Sequence, residues 1–427
     1  MSSEPTATPD AAAMAAPTGP VAASSASSVE PQARTSPSVT QASGPSTTPP
    51  SSSADPLLIA IVLPQFHPIP ENDAWWGKGF TEWRNVAKAR PLFKGHHQPQ
   101  LPGELGFYDL RLPETRAQQA ELAREHGVGG FCYYHYWFNG QRLLHRPVED
   151  MLASGEPDFP YCLAWANENW SRAWNGSDRE MLMAQNYSDE DDEAHIRSLL
   201  PHFRDPRYIR VDGKPLFVIY KADHLPDPAR TFARWREIAR AEGVGELMLA
   251  QFEWSGAGSG ADPRHVGLDL SIEFAPDWRR LGGKHFTGWK SRWAMKLGLL
   301  PKAYGEHNFF DYNRMVDGVL AKPTPDYPFI RCVSPGFDNS ARRAQGATIL
   351  MNNTPQRYRR WLEAALAWTR RHQPPQRQVV FINAWNEWAE GNHLEPDATH
   401  GRAYLEATRD AVKAQAVAAA SPDGDRT

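Results

Sequence analysis

At 427 residues the chain is long enough for one large barrel or two ordinary domains, and its formal net charge of -4 argues against a nucleic-acid footprint, which would be strongly basic. No apolar run approaches the roughly 18–20 residues that a bilayer span needs, so no transmembrane segment is expected. Three cysteines, Cys132, Cys162 and Cys332, each lie in an apolar run, and they read as core thiols of a reducing cytoplasm, not as a disulfide or zinc framework.

Residues 1–56 are Ser, Thr, Pro and Ala with almost no large apolar side chain. Such a segment cannot bury enough surface to offset its ordering entropy, so it is expected to be disordered. It has neither the basic start nor the apolar stretch of a secretory signal. The folded region is expected over 57–418, with a polar tail at 419–427. Within it, eight apolar runs read as strands: 57–66, 127–138, 159–170, 215–223, 246–253, 268–276, 329–340 and 378–388. Their near-continuous apolar character suits strands buried on both faces. Helical patterns occupy 113–127, 188–203, 227–243, 354–372 and 401–418, with Pro113 and Pro355 at first-turn positions and Ser188 or Asp227 as caps. Gly127 and Gly243 suit helix ends. Between runs five and six any helix must be short. Eight strands alternating with helices predict an α/β fold, a (β/α)8 TIM barrel with enlarged βα loops. The alternative, an open doubly wound sheet, is disfavoured because no G-x-G-x-x-G follows a strand.

Barrel enzymes carry their chemistry at the C-terminal ends of the strands. Those ends hold His67 after run one, and Tyr134 and His135 in run two. Run three brings Trp165, Asn167, Glu168, Asn169 and Trp170. Lys221 and Asp223 close run four, Glu253 and Trp254 close run five, Glu273 with Asp277 close run six, and run seven ends with Asp338 and Asn339. Run eight ends in "NAWNEWAEG", with Asn386, Glu387, Trp388 and Glu390. Carboxylates, amides and aromatic rings together suit a carbohydrate site: the C–H face of a sugar packs on indole or phenol, and its hydroxyls want acids and amides. The chain's sixteen Trp, thirteen Tyr and eighteen Phe fit that demand. Breaking or making a glycosidic bond needs two carboxyl groups in different protonation states. Glu387 and Glu390 are the candidates. In a continuing strand, residues three apart face opposite ways. A helical turn at Trp388 would instead bring the two acids to one face, with Trp385 and Trp388 flanking the sugar. The lesser alternative for each acid is a buried structural carboxylate paired to an arginine. His67 and His135 lack metal-ligand spacing, so no metal and no cofactor are expected. His96 and His97 read as structural. Since Tyr133, Tyr134 and Tyr136 alternate along a strand, some of them must face the helices.

The stretches "LPQFHPIPENDAWWGKGFTEWRNVAKARPLFKGHHQPQLP", "GFCYYHYWF", "LAWANENWSRAW" and "NAWNEWAEG" resemble the WbsX-type family of bacterial surface-polysaccharide proteins, itself similar to glycoside hydrolase family 99, the endo-α-mannosidase type. The resemblance covers nearly everything from Leu57 to about Leu405. It implies a (β/α)8 barrel and a retaining mechanism run by two glutamates three residues apart. The first is a base on the sugar 2-hydroxyl, giving an anhydro-sugar intermediate, and the second is the general acid/base. By position these roles fall on Glu387 and Glu390. Implied too are a polysaccharide or oligosaccharide substrate of O-antigen or lipopolysaccharide type, a nucleotide-sugar or lipid-linked sugar as its companion, and a cytoplasmic location peripheral to the inner membrane. A non-catalytic glycan-binding scaffold with structural acids remains the alternative from another class.

Overall fold

The computed structural model describes residues 55–171, 181–253 and 262–420. All but the last two residues of the expected disordered segment lie outside these, as do Trp254 and residues 421–427. Eight parallel strands close a barrel: β1 (Leu57–Val62), β2 (Gly130–Phe138), β3 (Tyr161–Trp165), β4 (Lys214–Ile219), β5 (Met248–Glu253), β6 (Leu270–Glu273), β7 (Phe329–Val333) and β8 (Val379–Ile382). The seam is made by β1, which pairs with β8 through Leu57↔Val379 to Ala60↔Ile382 and with β2 through Ile59↔Gly130 to Val62↔Tyr133. Runs such as "LLIAIV" and "VVFI" are buried almost throughout, one face filling the barrel and the other meeting the helices.

Helices return the chain between strands: α1 (Pro113–Glu125), α2 (Arg146–Ser154), α3 (Asp189–Arg204), α4 (Pro228–Ala241), α5 (Tyr312–Leu320), α6 (Pro355–His372) and α7 (Ala403–Ala420). The expected caps are real. Ser188 and Asp227, and also Thr354, which the sequence reading did not name, each accept a hydrogen bond from the backbone N–H three residues on, satisfying a donor the helix leaves orphaned. Between β5 and β6 only the 3-10 turn Pro263–Val266 is present among the described residues. The sequence runs overshoot the strands at their C-terminal ends, because "ANENW", "SPGFDNS" and "NAWNEW" belong to the loops of the barrel mouth. The three cysteines are buried and unbridged, with Cys132 and Cys162 facing each other as register partners on β2 and β3.

Candidate active site

After β8 the chain is pinned before it turns. The Trp385 N–H donates to Ile61 O at 2.7 Å, and Asn386 grips both backbone groups of Leu63, its Oδ1 accepting from the N–H at 2.7 Å and its Nδ2 donating to the carbonyl at 3.0 Å. Asn386–Glu387 then pairs antiparallel with Asn392–His393 around a 3-10 turn, Trp388–Glu390. Gly391 closes the turn at φ 54°, and a Cβ there would lie 2.7 Å from Gln100 Nε2 and 3.1 Å from Asp338 Cβ, so glycine is required on two counts. The turn brings both glutamates to one guanidinium. Arg342, from the loop after β7, donates from Nη1 to Glu390 Oε1 at 2.6 Å and from Nη2 to Glu387 Oε2 at 3.0 Å. Its Nε reaches Glu82 Oε1 at 2.7 Å. One planar fork thus holds three carboxylates, a task its fixed donor geometry allows and a lysine could not repeat.

The two acids differ in environment. The Glu387 side chain is 9% exposed and that of Glu390 is 25% exposed. Burial pushes Glu387 up to about 8; Glu390 and Glu82 add to the rise, while Arg342 opposes it. Glu387 therefore keeps its proton to higher pH than an ordinary glutamate. Both acids open on a cleft of about 600 Å3 at the barrel mouth, lined by Tyr134, Tyr136, Trp170, Tyr220 and Trp278 and by the polar groups of Gln65, Glu168 and Asn169. Burial raises the phenols of Tyr134, Tyr136 and Tyr220, which stay neutral donors. Two buried amides also line the cleft. Both side-chain polar atoms of Asn72, and Oδ1 of Asn383, find no partner among the described residues. Such groups are costly to leave unpaired.

Of the residues singled out in the sequence, Glu387, Glu390, Tyr134, Glu168, Asn169 and Trp170 meet at this cleft. Glu168 is ion-paired with Lys221, and Asn169 Oδ1 accepts from the Gln185 N–H at 2.6 Å. The others lie elsewhere. His67 is buried outside the cleft, and burial lowers it to about 4. His135 points outward from β2, its Nε2 lying 3.0 Å from His195 Nε2 on α3. Trp165 is enclosed between His195 and Trp235. Asn167 is a loop clamp, exchanging two hydrogen bonds with the Lys221 backbone. Asn386 is the clamp already described. Trp388 does not flank the cleft: it stacks on His393 with centroids 3.7 Å apart and donates from Nε1 to buried Glu395 at 2.6 Å. Trp385 packs against Phe131 inside the barrel. Glu253 belongs to a separate cluster with Lys322.

Sequence reasoning missed Arg342, Glu82, Asn72 and Asn383. A signal existed for Glu82, because "TEW" repeats the Glu-Trp of "NEW". The structure brings the two tryptophans together, with Trp83 and Trp388 centroids 5.6 Å apart. Behind the Trp388–Glu390 turn lies a smaller cavity of about 310 Å3 whose walls include His96, His97, His393 and His400. His96 Nε2 meets Asp338 Oδ2 at 2.7 Å and His97 meets Thr399, so both histidines brace loops, as the sequence suggested. No group of three or more potential metal ligands comes together among the described residues.

A parallel barrel with paired acids and aromatic walls at its mouth is an arrangement that suits glycan chemistry. The model of the family "Glycosyltransferase WbsX" matches residues 58–408, and the chain belongs to that family. It is 44% identical over 355 residues to the uncharacterized protein WxcX of Xanthomonas campestris pv. campestris, in strains B100 and ATCC 33913. The alignment takes in 83% of this chain and 49% of those proteins, so the chain spans about half their length. Among solved structures, a glycoside hydrolase-like protein superposes with a TM-score of 0.52 at 14% identity, covering 86% of this chain and 97% of that one. The GH99 endo-alpha-mannosidase from Bacteroides thetaiotaomicron superposes with a TM-score of 0.51 at 17% identity, covering 86% and 99%. These two likenesses bear on the fold.

Proposed function

We propose that this protein cleaves or transfers glycosidic linkages of a bacterial surface polysaccharide of O-antigen type, using Glu387 and Glu390 as its carboxyl pair. The observation that carries this reading is the pair itself: two acids of unequal burial, locked on Arg342 at the floor of an aromatic cleft. Cleavage or transglycosylation is favoured over use of a nucleotide-sugar donor by the charge of the cleft. A pyrophosphate entering it would face Glu168 and Glu390, and of the nearby cations Arg342 and Lys221 already hold acids of their own, leaving Arg343 to offset them. A neutral sugar suffers no such repulsion.

In this reading Glu390, the more open acid, serves the leaving oxygen, and Glu387 acts on the sugar 2-hydroxyl as the family resemblance implies. A base must first be deprotonated, and burial keeps the Glu387 proton on up to about pH 8. Hence kcat/KM should rise with pH through about 8. A fall through the same range would exchange the two roles.

The deciding experiment incubates the full chain and its Glu390→Gln variant with purified surface polysaccharide of the producing cell, with and without nucleotide sugars, and sizes the products by mass spectrometry. Shortening or re-partitioning of chains without nucleotide sugar, lost in the variant, is the expected result. Growth only with nucleotide sugar would make the protein a conventional transferase. The pairing of both acids with Arg342 also favours a second reading, a glycan-binding barrel with structural acids. That reading requires sugar affinity that survives both Glu→Gln changes, and no product from the wild type.

A further inference from the structure

The loop between β6 and α5 carries a surface that the glycan chemistry does not use. From Trp278 to Gly305 the sequence holds seven Lys or Arg (Arg279, Arg280, Lys284, Lys290, Arg292, Lys296 and Lys302) and no Asp or Glu, in a chain whose net charge is -4. The helix at its centre, Trp289–Lys296, buries no residue. Trp289 is 64% exposed, Trp293 56%, Leu297 67% and Leu299 74%, so four large apolar side chains stand in solvent within eleven residues. Isolated exposed hydrophobics are ordinary, but a contiguous cluster of this kind marks an interaction surface.

The base of the loop, by contrast, is fixed. Phe286 stacks on Tyr304 with centroids 4.0 Å apart, and both rings meet Phe309. Phe309 lies on a short strand, Asn308–Asp311, paired with Thr348–Met351, and Thr348 lines the cleft. The excursion is therefore a rigid prong with a bare tip, rooted beside the site. Lys290 lies over the Trp289 ring at 5.8 Å and Lys296 over Trp293 at 5.2 Å, so each tryptophan carries a cation at its face. Lys290, Arg292, Lys296 and Lys302 make no ion pair among the described residues.

We infer that this prong docks the protein on an anionic lipid bilayer. Tryptophans settle at the depth of the headgroups, leucines reach the acyl boundary, and a Lys/Arg field without acids is drawn to a negative surface. A protein partner would more often set charges of both signs against such a patch. No described helix is long and apolar enough to span a bilayer, so the contact is peripheral. With the prong seated, the mouth of the barrel lies at the membrane surface. If the proposed glycan activity holds, the substrate this favours is one carried on a lipid.

The test is co-sedimentation of the full chain with vesicles of phosphatidylcholine alone or mixed with phosphatidylglycerol, without any glycan, so that its result does not depend on the enzymatic reading. Binding to the anionic vesicles is expected at least tenfold tighter than to neutral ones, and weaker as salt rises. Trp289→Ser with Trp293→Ser should lower it at least tenfold. Lys290→Glu with Lys296→Glu should lower it similarly and remove the salt dependence. Circular dichroism and melting temperature should stay at wild-type values, since both tryptophans and both lysines stand in solvent while Ala294 and Met295 carry the packing of the helix. Equal binding to both vesicle types, or binding unaffected by these variants, would overturn the inference. So would sedimentation velocity showing a dimer that the tryptophan variants dissolve, since the patch would then be an interface between copies.

Discussion

Two clusters of three acids sit at the strand ends of this barrel, and only one can act on a ligand. At the mouth, Glu82, Glu387 and Glu390 converge on Arg342, and the last two face a cleft of about 600 Å3. On the β5–β7 side, Glu253, Glu273 and Asp277 converge on Lys322 at 3.6, 3.3 and 3.5 Å. Arg331 adds a second cation to Glu273 at 2.9 Å, and the Tyr327 hydroxyl caps Glu253. This second cluster borders a void of only about 10 Å3, too small for a sugar. In residue types the two are near twins. Access separates them, together with a charge balance of three acids to one base against three to two.

The sharpest way to break the comparison is to remove each central cation. Arg342→Met leaves three carboxylates crowded and uncompensated. It should cost about 3–5 kcal/mol of stability and reduce turnover at least a thousandfold, read by urea denaturation and by product formation. Arg342→Lys should restore much of the stability but little activity, because an ammonium cannot span the three acids. Lys322→Met should cost about 1–3 kcal/mol, less than its counterpart because Arg331 remains, and should leave kcat and KM within about threefold. A large activity loss there would mean that the two clusters are coupled.

A smaller effect lies in the pH dependence of stability. An unfolded glutamate titrates near 4.3, whereas Glu387 in the folded protein is pushed up to about 8. Between those values the folded chain binds more protons than the unfolded one, so stability falls as pH rises through the window. Glu395, raised by burial to about 7, adds a similar slope that wild type and variant share. Glu387→Gln should therefore lose less stability than the wild type between pH 5 and pH 8, a difference visible in urea midpoints. Parallel curves would show that the acid is not proton-loaded. The smallest effect expected is that of Glu253→Gln, whose carboxylate belongs to the closed cluster: activity should stay within about twofold of wild type. A large rise in KM would return Glu253 to the substrate.

The barrel was legible because strands buried on both faces leave continuous apolar runs, and eight of these survive reading without any partner information. The short helices Arg146–Ser154 and Tyr312–Leu320 were not, since nine residues give a pattern only two turns or so in which to repeat. At the site, the Glu-x-x-Glu spacing predicted a turn, and a 3-10 turn is present. What spacing cannot convey is which neighbour a polar side chain will find. Asn169 and Asn167 sit two apart in one motif; one lines the cleft and the other is spent on the Lys221 backbone. Arg342 lies 45 residues from Glu387 and 260 from Glu82, so its central place follows only from barrel closure.

The grip of Asn386 on Leu63 spans 323 residues of chain, from the end of the last strand to the end of the first. It fixes the residue immediately before Glu387. During synthesis, the first strand must wait for almost the entire barrel before this partner emerges, and contacts of such separation form late. The carboxyl pair is therefore unassembled in every shorter nascent chain. The cleft would thus be completed in a single step, with closure of the seam.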